Sequence, residues 1–290
     1  VSKQSSIKND FRQALKKRGY SEGSNLIIDE YDAGNDFNKA KSNINIIKTK
    51  KYDAVVAVGL TSAKLLQHSN YSGNVIFTFV ADPVKAGLVK DIKKPGTNYT
   101  GVVSKPDIME QFALFKEIVP GTKSLAIFYL TGGDYSEAQK SAIYANKNKL
   151  GFTNIIPVAL KTQNDYLTDL LDVIEKVDAV YLSADSAFEN PRVQNAIKLS
   201  TAYNKPVLAS TEIPIQYGAL LGVYTSYKNT IDKTGHLTSR ILNGETPANI
   251  PVEHVNSLDV VLNLDTAKLL GINIPEKFID KTTGIIEEDF

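Results

Sequence analysis

Short apolar runs alternate along the whole chain with segments of helical periodicity. Five runs contain almost no polar positions, which is typical of strands buried on both faces of a parallel sheet. They lie at residues 53–59, 74–80, 123–129, 178–183 and 205–210.

Between these runs the apolar spacing changes to three and four residues, which predicts amphipathic helices over 7–15, 37–47, 108–119 and 167–174. Ser136 followed by Gln139 predicts a capping box at a helix start, and Pro106 suits a first helical turn. Alternation of strand and helix predicts an α/β fold with crossover connections.

The order of elements occurs twice. Asp53 and Asp178 each precede an apolar run that is followed by a turn, a helix and a further strand. This repetition predicts two similar lobes, each with a doubly wound parallel sheet. The second half opens with a strand before its helix, whereas the chain opens with a helix. By analogy the first lobe lacks its opening strand. Either Val1 and Ser2 are the stub of that strand, or residues that precede them supply it.

Charge and composition exclude several classes of function. There are 33 Lys and Arg against 32 Asp and Glu, so the net charge is +1 and neither a nucleic acid nor a membrane surface is an expected partner. The chain has no Cys, which excludes disulfides and thiolate chemistry. Its three His lie far apart, so we expect no metal centre and no His-based triad.

The sequence contains few of the residue patterns that catalytic sites use. No G-x-S-x-G elbow and no Gly-rich phosphate loop is present, so neither a serine hydrolase nor a nucleotide cofactor is expected. We predict a binding protein without a cofactor. An enzyme that uses two acidic residues is the less favoured alternative, and turnover of a bound ligand would reveal it.

In doubly wound sheets ligands bind beyond the carboxyl ends of the strands. Gly59, Leu60, Thr61 and Ser62 follow one predicted strand and open a helix, where free N–H groups and hydroxyls suit a carboxylate. A simple helix cap is the ordinary alternative for these residue types.

The ends of two further strands add candidates in the same way. Thr78, Ala81 and Asp82 end the second strand, although Asp before Pro is also common in turns. After the strand at 123–129, Gly133 permits a close backbone approach, Tyr135 offers an aromatic face and Ser136 a hydroxyl. These six residues complete the candidates on the first three turns.

Two later turns carry carboxylates that could pair with an ammonium group. Asp185 and Ser186 follow the strand at 178–183, and Ser210, Thr211 and Glu212 follow the strand at 205–210. A helix cap or a solvated surface position is the ordinary alternative for both acids. An anion site on one half and carboxylates on the other would together suit a zwitterion.

Two motifs resemble one protein family. DPVKAGLV at 82–89 and PGTNYTGV at 95–102 resemble the signature of the substrate-binding proteins of ABC transporters, in the group that includes tryptophan- and other aromatic-amino-acid-binding lipoproteins. ILNGE at 241–245 and LNL at 262–264 are similar too, so the resemblance covers nearly the whole chain.

The resemblance implies a type I periplasmic-binding-protein fold, in which three crossings of the chain join two lobes around a ligand cleft. It places the first lobe at 1–103 and 227–254 and the second at 104–226 and 255–290. The ligand-facing turns that it implies are those chosen above. Family members usually carry a signal peptide and a lipidated Cys; this chain has neither, as expected of a mature, trimmed protein.

The function implied is that of an extracytoplasmic receptor of an ABC importer. It would act as a monomer, bind a small ligand such as an aromatic amino acid, close by a hinge motion and deliver the ligand to a membrane permease. The alternative is a ligand-sensing domain of a receptor or regulator with the same fold. The upstream sequence and the neighbouring genes would distinguish the two.

Overall fold

The computed structural model describes residues 3–287 except 35, 161–165, 186–187 and 189–190. In chain order the helices are α1 (Lys3–Lys16), α2 (Phe37–Thr49), α3 (Leu60–His68), α4 (Ile108–Ile118), α5 (Asp134–Ala145), α6 (Tyr166–Leu171), α7 (Val193–Ala202), α8 (Ile213–Gln216), α9 (Tyr227–Leu242), α10 (Leu264–Leu269) and α11 (Glu276–Ile279). The strands are β1 (Val55–Val58), β2 (Val75–Val80), β3 (Tyr99–Val103), β4 (Ser124–Leu130), β5 (Asn154–Leu160), β6 (Ala179–Leu182), β7 (Val207–Ala209), β8 (Leu221–Thr225), β9 (Glu253–His254), β10 (Leu258–Asn263) and β11 (Gly284–Ile286).

The chain forms two compact units. Unit 1 comprises residues 1–105 and 226–257, and unit 2 comprises 106–225 and 258–290. Each unit has its own sheet. In the part of the chain that the structure describes, no helix is both long and apolar enough to cross a membrane.

Unit 1 contains a parallel sheet with strand order β1-β2-β3-β9. Successive side chains of a strand point to opposite faces, and β2 uses both faces for burial. Val75 and Phe77 pack with residues of α2 and α3, whereas Ile76 packs with Leu237 and Ile241 of α9. This two-sided burial explains why the run at 74–80 is continuously apolar.

Helix α1 lies against α9 through two small residues. A Cβ atom at Gly235 would lie 2.6 Å from the Cβ of Ala14, so glycine at this position lets the two helices approach closely. The same helix pair is held at its end by Arg18, which donates to both carboxylate oxygens of Asp232 at 3.1 and 2.9 Å. That contact holds the pKa of Asp232 below its usual value.

Unit 2 has seven strands in the order β11-β10-β8-β7-β6-β4-β5. All neighbouring pairs are parallel except β10 with β8. Strand β4 pairs with β5 on one side and β6 on the other, so the chain changes its winding direction there. Ligands of doubly wound sheets bind at such a switch point, which directs attention to the residues that follow β4 and β6.

The core of unit 2 also covers both faces of its sheet. Phe112 and Phe115 of α4 pack with Tyr181 on one face. Phe128 and Leu182 pack on the other face, in a second apolar cluster that includes residues of α7. Two parallel or mostly parallel sheets covered by helices confirm the predicted α/β doubly wound class.

Two local predictions were wrong. Helix α5 begins at Asp134 with Gly133 as its N-cap, so Ser136 lies inside the first turn and forms no capping box. Helix α4 has Asp107 as its N-cap, where the carboxylate accepts from the N–H of Met109, so Pro106 precedes the helix. Helix α5 therefore starts at a backbone turn through Gly133, whereas α4 starts at the side-chain cap of Asp107, one residue after the proline.

The matching Asp residues of the repeat have different roles. Asp178 accepts hydrogen bonds from the backbone N–H groups of Lys123 and Ser124, both at 2.8 Å, and so joins β6 to β4. Burial by itself raises the pKa of Asp178, but these hydrogen bonds outweigh it and hold the pKa below its usual value. Asp53 instead accepts from Asn74 with its backbone carbonyl.

Candidate ligand-binding surfaces

The start of α3 presents free backbone donors in unit 1. Gly59, with φ of 81°, precedes the helix and donates its own N–H to the carbonyl of Thr78 at 2.9 Å. The first intrahelical bond runs from Ala63 to Gly59, so the N–H groups of residues 60–62 have no partner within the helix. Thr61 is exposed and Ser62 is half-buried, whereas Leu60 packs partly against the core. The dipole and the donors suit an anion.

The turn after β2 is tied back into unit 1. The hydroxyl of Thr78 is buried and accepts from the hydroxyl of Thr234 at 2.9 Å, and Ala81 is buried. Asp82 is exposed and its carboxylate accepts from the N–H of Lys85 at 2.9 Å. This contact stabilises the turn, which is the ordinary role of an Asp before Pro that the sequence also allowed.

Two aromatic residues beside this turn were missed by the sequence analysis. Phe79 and Tyr227 stack with ring centroids 5.7 Å apart and planes 17° from parallel. Phe79 is the penultimate residue of β2, and Tyr227 is the first residue of α9. Only the position of Phe79 beside the DPVKAGLV motif could have indicated it, because a Phe in an apolar run is normally assigned to the core.

In unit 2 the turns after β4 and β6 meet at Asp185. Its carboxylate accepts from the hydroxyl of Ser136 at 3.2 Å. A Cβ atom at Gly133 would lie 2.3 Å from Asp185 Oδ2 and 2.4 Å from Ser136 Oγ, so only glycine leaves room for this approach. Ser136 is fully buried, and Tyr135 beside it is half-buried. The predicted candidate Ser186 lies outside the described residues.

A buried polar network lies beneath these turns. Ser210 Oγ accepts from Gln111 Nε2 at 2.7 Å and from Gln139 Nε2 at 3.1 Å, and lies 2.6 Å from the hydroxyl of Tyr181. That hydroxyl donates to Gln111 Oε1, so the hydroxyl of Ser210 donates to Tyr181 and its bonding capacity is filled. Burial raises the pKa of Tyr181, which therefore stays a neutral donor.

The network continues to the turn that holds Asp185. Gln139 Oε1 accepts from the N–H of Ala184 at 2.6 Å, and Ala184 directly precedes Asp185. Ser210, predicted as a ligand contact, has its hydrogen-bonding capacity filled by side chains of α4, α5 and β6. Gln111, Gln139 and Tyr181 were not predicted, because a buried amide or phenol has no sequence signature that separates it from a surface one.

The edge of unit 2 after β7 and β8 is acidic. Glu212 is half-buried as the N-cap residue of α8, and Thr211 before it has a buried hydroxyl without a hydrogen-bond partner among the described residues. Asp259 lies across from Tyr224 in the β8–β10 pair. Burial, followed by the negative charges of Glu212 and Asp259, raises the pKa of Tyr224. Together with Asp185, these acids make this edge suited to a cation.

Among the described residues, no group of three His, Asp or Glu side chains is arranged to hold a metal ion. Taken separately, unit 1 offers free N–H groups at the start of α3, and unit 2 offers carboxylates beyond its strand ends.

Comparisons with known proteins identify the family to which this chain is similar. A family model described as ABC transporter substrate binding protein matches residues 3–286. A tyrosine-binding protein of Clostridioides difficile is 28% identical over 267 residues, which is 91% of this chain and 76% of that protein.

Two solved structures are similar over nearly their whole length. One is the ABC domain from Streptococcus pneumonia in complex with L-Trp, with a TM-score of 0.86, 26% identity and coverage of 97% of this chain and 95% of that one. The other is a ligand-free, open substrate-binding protein with adhesive properties from Clostridium difficile, with a TM-score of 0.78, 28% identity and coverage of 98% and 94%.

Proposed function

The chain belongs to the ABC transporter substrate-binding protein family, a family of binding proteins and not of enzymes, and from this premise we propose that it is the receptor of an ABC importer for an aromatic amino acid. The observation that carries the proposal is the pair of complementary surfaces: free N–H groups at α3 in unit 1 and carboxylates at the strand ends of unit 2. An α-amino acid carries both opposite charges. The relatives that bind tyrosine and L-Trp support the aromatic class.

The ligand carboxylate is assigned to the start of α3, where Thr61 and Ser62 supply hydroxyls and the backbone at Gly59 and Leu60 supplies the turn. Thr78, Ala81 and Asp82 shape the neighbouring turn. This half of the site binds through N–H groups that are already oriented, so little ordering is needed on binding.

The ligand ammonium is assigned to Asp185, with Glu212 as the second carboxylate. Tyr135 is assigned as an aromatic wall beside it and Thr211 as part of the rim, and Ser186 stays a candidate on its place in the sequence alone. Gly133, Ser136 and Ser210 act indirectly, because they position Asp185 and the strand ends. A charge-assisted hydrogen bond of this type contributes about 1.5–3 kcal/mol.

The transport cycle is proposed on the same basis. A ligand that bonds to both units binds one arrangement of them more tightly, and it therefore shifts the population toward a closed form that the membrane permease recognises. The receptor acts outside the cytoplasm as a monomer and needs neither a cofactor nor a nucleic acid. The lobe boundaries proposed are 1–103 with 227–254 and 104–226 with 255–290.

A thermal-shift screen of the twenty amino acids, followed by calorimetry, tests this proposal. A ligand at about 100-fold excess over its Kd stabilises the folded chain by about 2.7 kcal/mol, so the binding amino acids will raise the Tm visibly. We expect tryptophan, tyrosine or phenylalanine among them. A chain whose Tm responds to no amino acid would contradict the proposal.

Asp185→Ala tests the ammonium assignment. We expect the Kd of the bound amino acid to rise by about ten- to a hundredfold, as the loss of a charged hydrogen bond predicts. Asp172→Ala is the matched control, because Asp172 is exposed and precedes β6, whereas Asp185 follows it. Equal affinities in both variants would show that the ammonium group binds elsewhere.

Gly133→Ala is expected to weaken binding without unfolding the protein. The new methyl group would displace the ends of two side chains, the Asp185 carboxylate and the Ser136 hydroxyl, and would lie 3.1 Å from the backbone carbonyl oxygen of Leu130. A backbone shift of a few tenths of an ångström relieves that contact, so the fold can adapt while the carboxylate moves. We expect an affinity loss of about tenfold and a change in stability below about 1 kcal/mol. In an Asp185→Ala background the same substitution should have no further effect on affinity; an additional loss there would contradict its action through Asp185.

A further inference from the structure

The backbone of Phe79 is strained. Its φ is 55°, which bulky side chains adopt rarely, and the β2–β3 register shifts between Phe77 and Val80 at the same place. Such a conformation is unfavourable by itself and persists only where the surroundings impose it. Strain of this kind is concentrated at binding and catalytic sites, which makes the Phe79 ring a candidate for a functional role.

The strain changes which side chains of β2 are buried. Phe77, Thr78 and Val80 are fully buried, whereas Phe79 between them stays part-exposed. Its neighbour Thr78 accepts the N–H of Gly59, the residue that opens α3. The ring therefore lies on the turn adjacent to the helix start to which the ligand carboxylate is assigned.

Tyr227 holds this ring in one orientation. The two rings are nearly parallel, with a 5.7 Å separation of their centroids. Tyr227 begins α9, and the preceding Ser226 donates its N–H to the carbonyl of Ser257 at 2.9 Å, so the stacking partner is anchored on both sides. A part-exposed ring that is fixed by a second ring is a preorganised surface for a further aromatic group.

We infer that Phe79 is a specificity-determining residue that selects an aromatic ligand side chain, with Tyr227 as its positioning residue. The inference rests on the proposed function, because it assigns the ligand side chain to unit 1 beside the carboxylate site. Aromatic pairs contribute about 0.5–1.5 kcal/mol beyond the burial of their area, which corresponds to roughly three- to tenfold in affinity.

The chain contains no Trp, which makes L-tryptophan a direct probe. With excitation at wavelengths that the 14 Tyr side chains do not absorb, the emission in a titration comes from the ligand alone, and burial against a ring will shift that emission to shorter wavelength. Calorimetry with L-tryptophan and L-leucine then gives the ratio of their Kd values. We expect the unsubstituted chain to bind tryptophan with the shifted emission and to prefer it to leucine.

Phe79→Leu keeps an apolar side chain on the strained backbone but removes the ring. We expect it to reduce the tryptophan-to-leucine preference by about three- to tenfold and to diminish the emission shift. Phe79→Tyr and Tyr227→Phe keep both rings and should retain the preference. Tyr227→Ala should reduce it, and melting curves confirm that each variant is folded.

The outcomes separate this inference from the proposed function. If the chain binds leucine as tightly as tryptophan, or if Phe79→Leu weakens both ligands equally, the selection by Phe79 is wrong and the amino-acid receptor stands. If the unsubstituted chain binds no amino acid, both are overturned. Should Phe79→Leu fail to fold, the preference in Tyr227→Ala against Tyr227→Phe decides the matter.

Discussion

Gly101→Ala will destabilise unit 1 by about 3 kcal/mol. Gly101 lies in β3, paired with Phe77 of β2, and a Cβ atom there would lie 2.1 Å from the carbonyl oxygen of Phe77 and 2.4 Å from its ring. Backbone and a fully buried ring cannot both move aside, so the added methyl group forces the two strands apart. Urea unfolding followed by circular dichroism gives the change in the free energy of unfolding.

Gly121→Ala is the control for this substitution. A Cβ atom at Gly121 would meet nothing within 4 Å, and its φ is not positive, so alanine should leave stability within about 0.5 kcal/mol. Hydrogen exchange should locate the Gly101→Ala effect in β2 and β3. A variant as stable as the unsubstituted chain would show that β2 and β3 do not pack in this register.

Phe112→Ala will cost unit 2 about 3–5 kcal/mol. The Phe112 ring is buried at the centre of an aromatic cluster, with centroids 5.2 Å from Phe152, 5.3 Å from Tyr181 and 6.5 Å from Phe115. Its removal leaves a cavity that these rigid rings cannot fill, which adds to the loss of apolar burial. The measurement is again the free energy of unfolding in urea.

Phe37→Ala is the control, because it removes a phenylalanine side chain from the surface and not from the core. Phe37 is 53% exposed, and Lys41 Nζ lies 4.6 Å above its ring, so we expect a loss of about 1 kcal/mol or less. Similar losses at Phe112 and Phe37 would contradict the aromatic core. Because Tyr181 also belongs to the network under Ser210, Phe112→Ala should weaken amino-acid binding as well.

The apolar runs predicted β1, β2, β4, β6 and β7 because strands covered on both faces contain few polar residues. Strand β3 escaped prediction, since Gly101 at its centre is unfavourable in most strands. The reason for a glycine at this position is visible only in the close packing of Gly101 against Phe77. The glycine in the PGTNYTGV motif is thus explained by a contact between two strands that are separated in sequence.

The sequence predicted the candidate site residues from their positions in turns that follow strands, and it did not predict the contacts between them. Strand ends are recognisable in sequence, so the start of α3 and the acids Asp185 and Glu212 were predicted as candidates. The support for them was not: Gln111, Gln139 and Tyr181 come from α4, α5 and β6, and they meet only because the sheet brings those elements together. The capping box at Ser136 was wrong because α5 begins two residues earlier, at Asp134, and the Ser136 hydroxyl donates to Asp185.

The sequence by itself determined the α/β class, the repeated order of elements, the exclusion of cysteine chemistry and the membership of a binding-protein family. The first three follow from periodicity and composition, and the family membership follows from the motifs at 82–89 and 95–102 and the family model that matches residues 3–286. Only the tertiary structure decided which polar groups are already satisfied and which ring is exposed. Hydrogen-bond saturation at Ser210 and the strained backbone of Phe79 depend on atoms from distant parts of the chain, and local pattern carries no information about them.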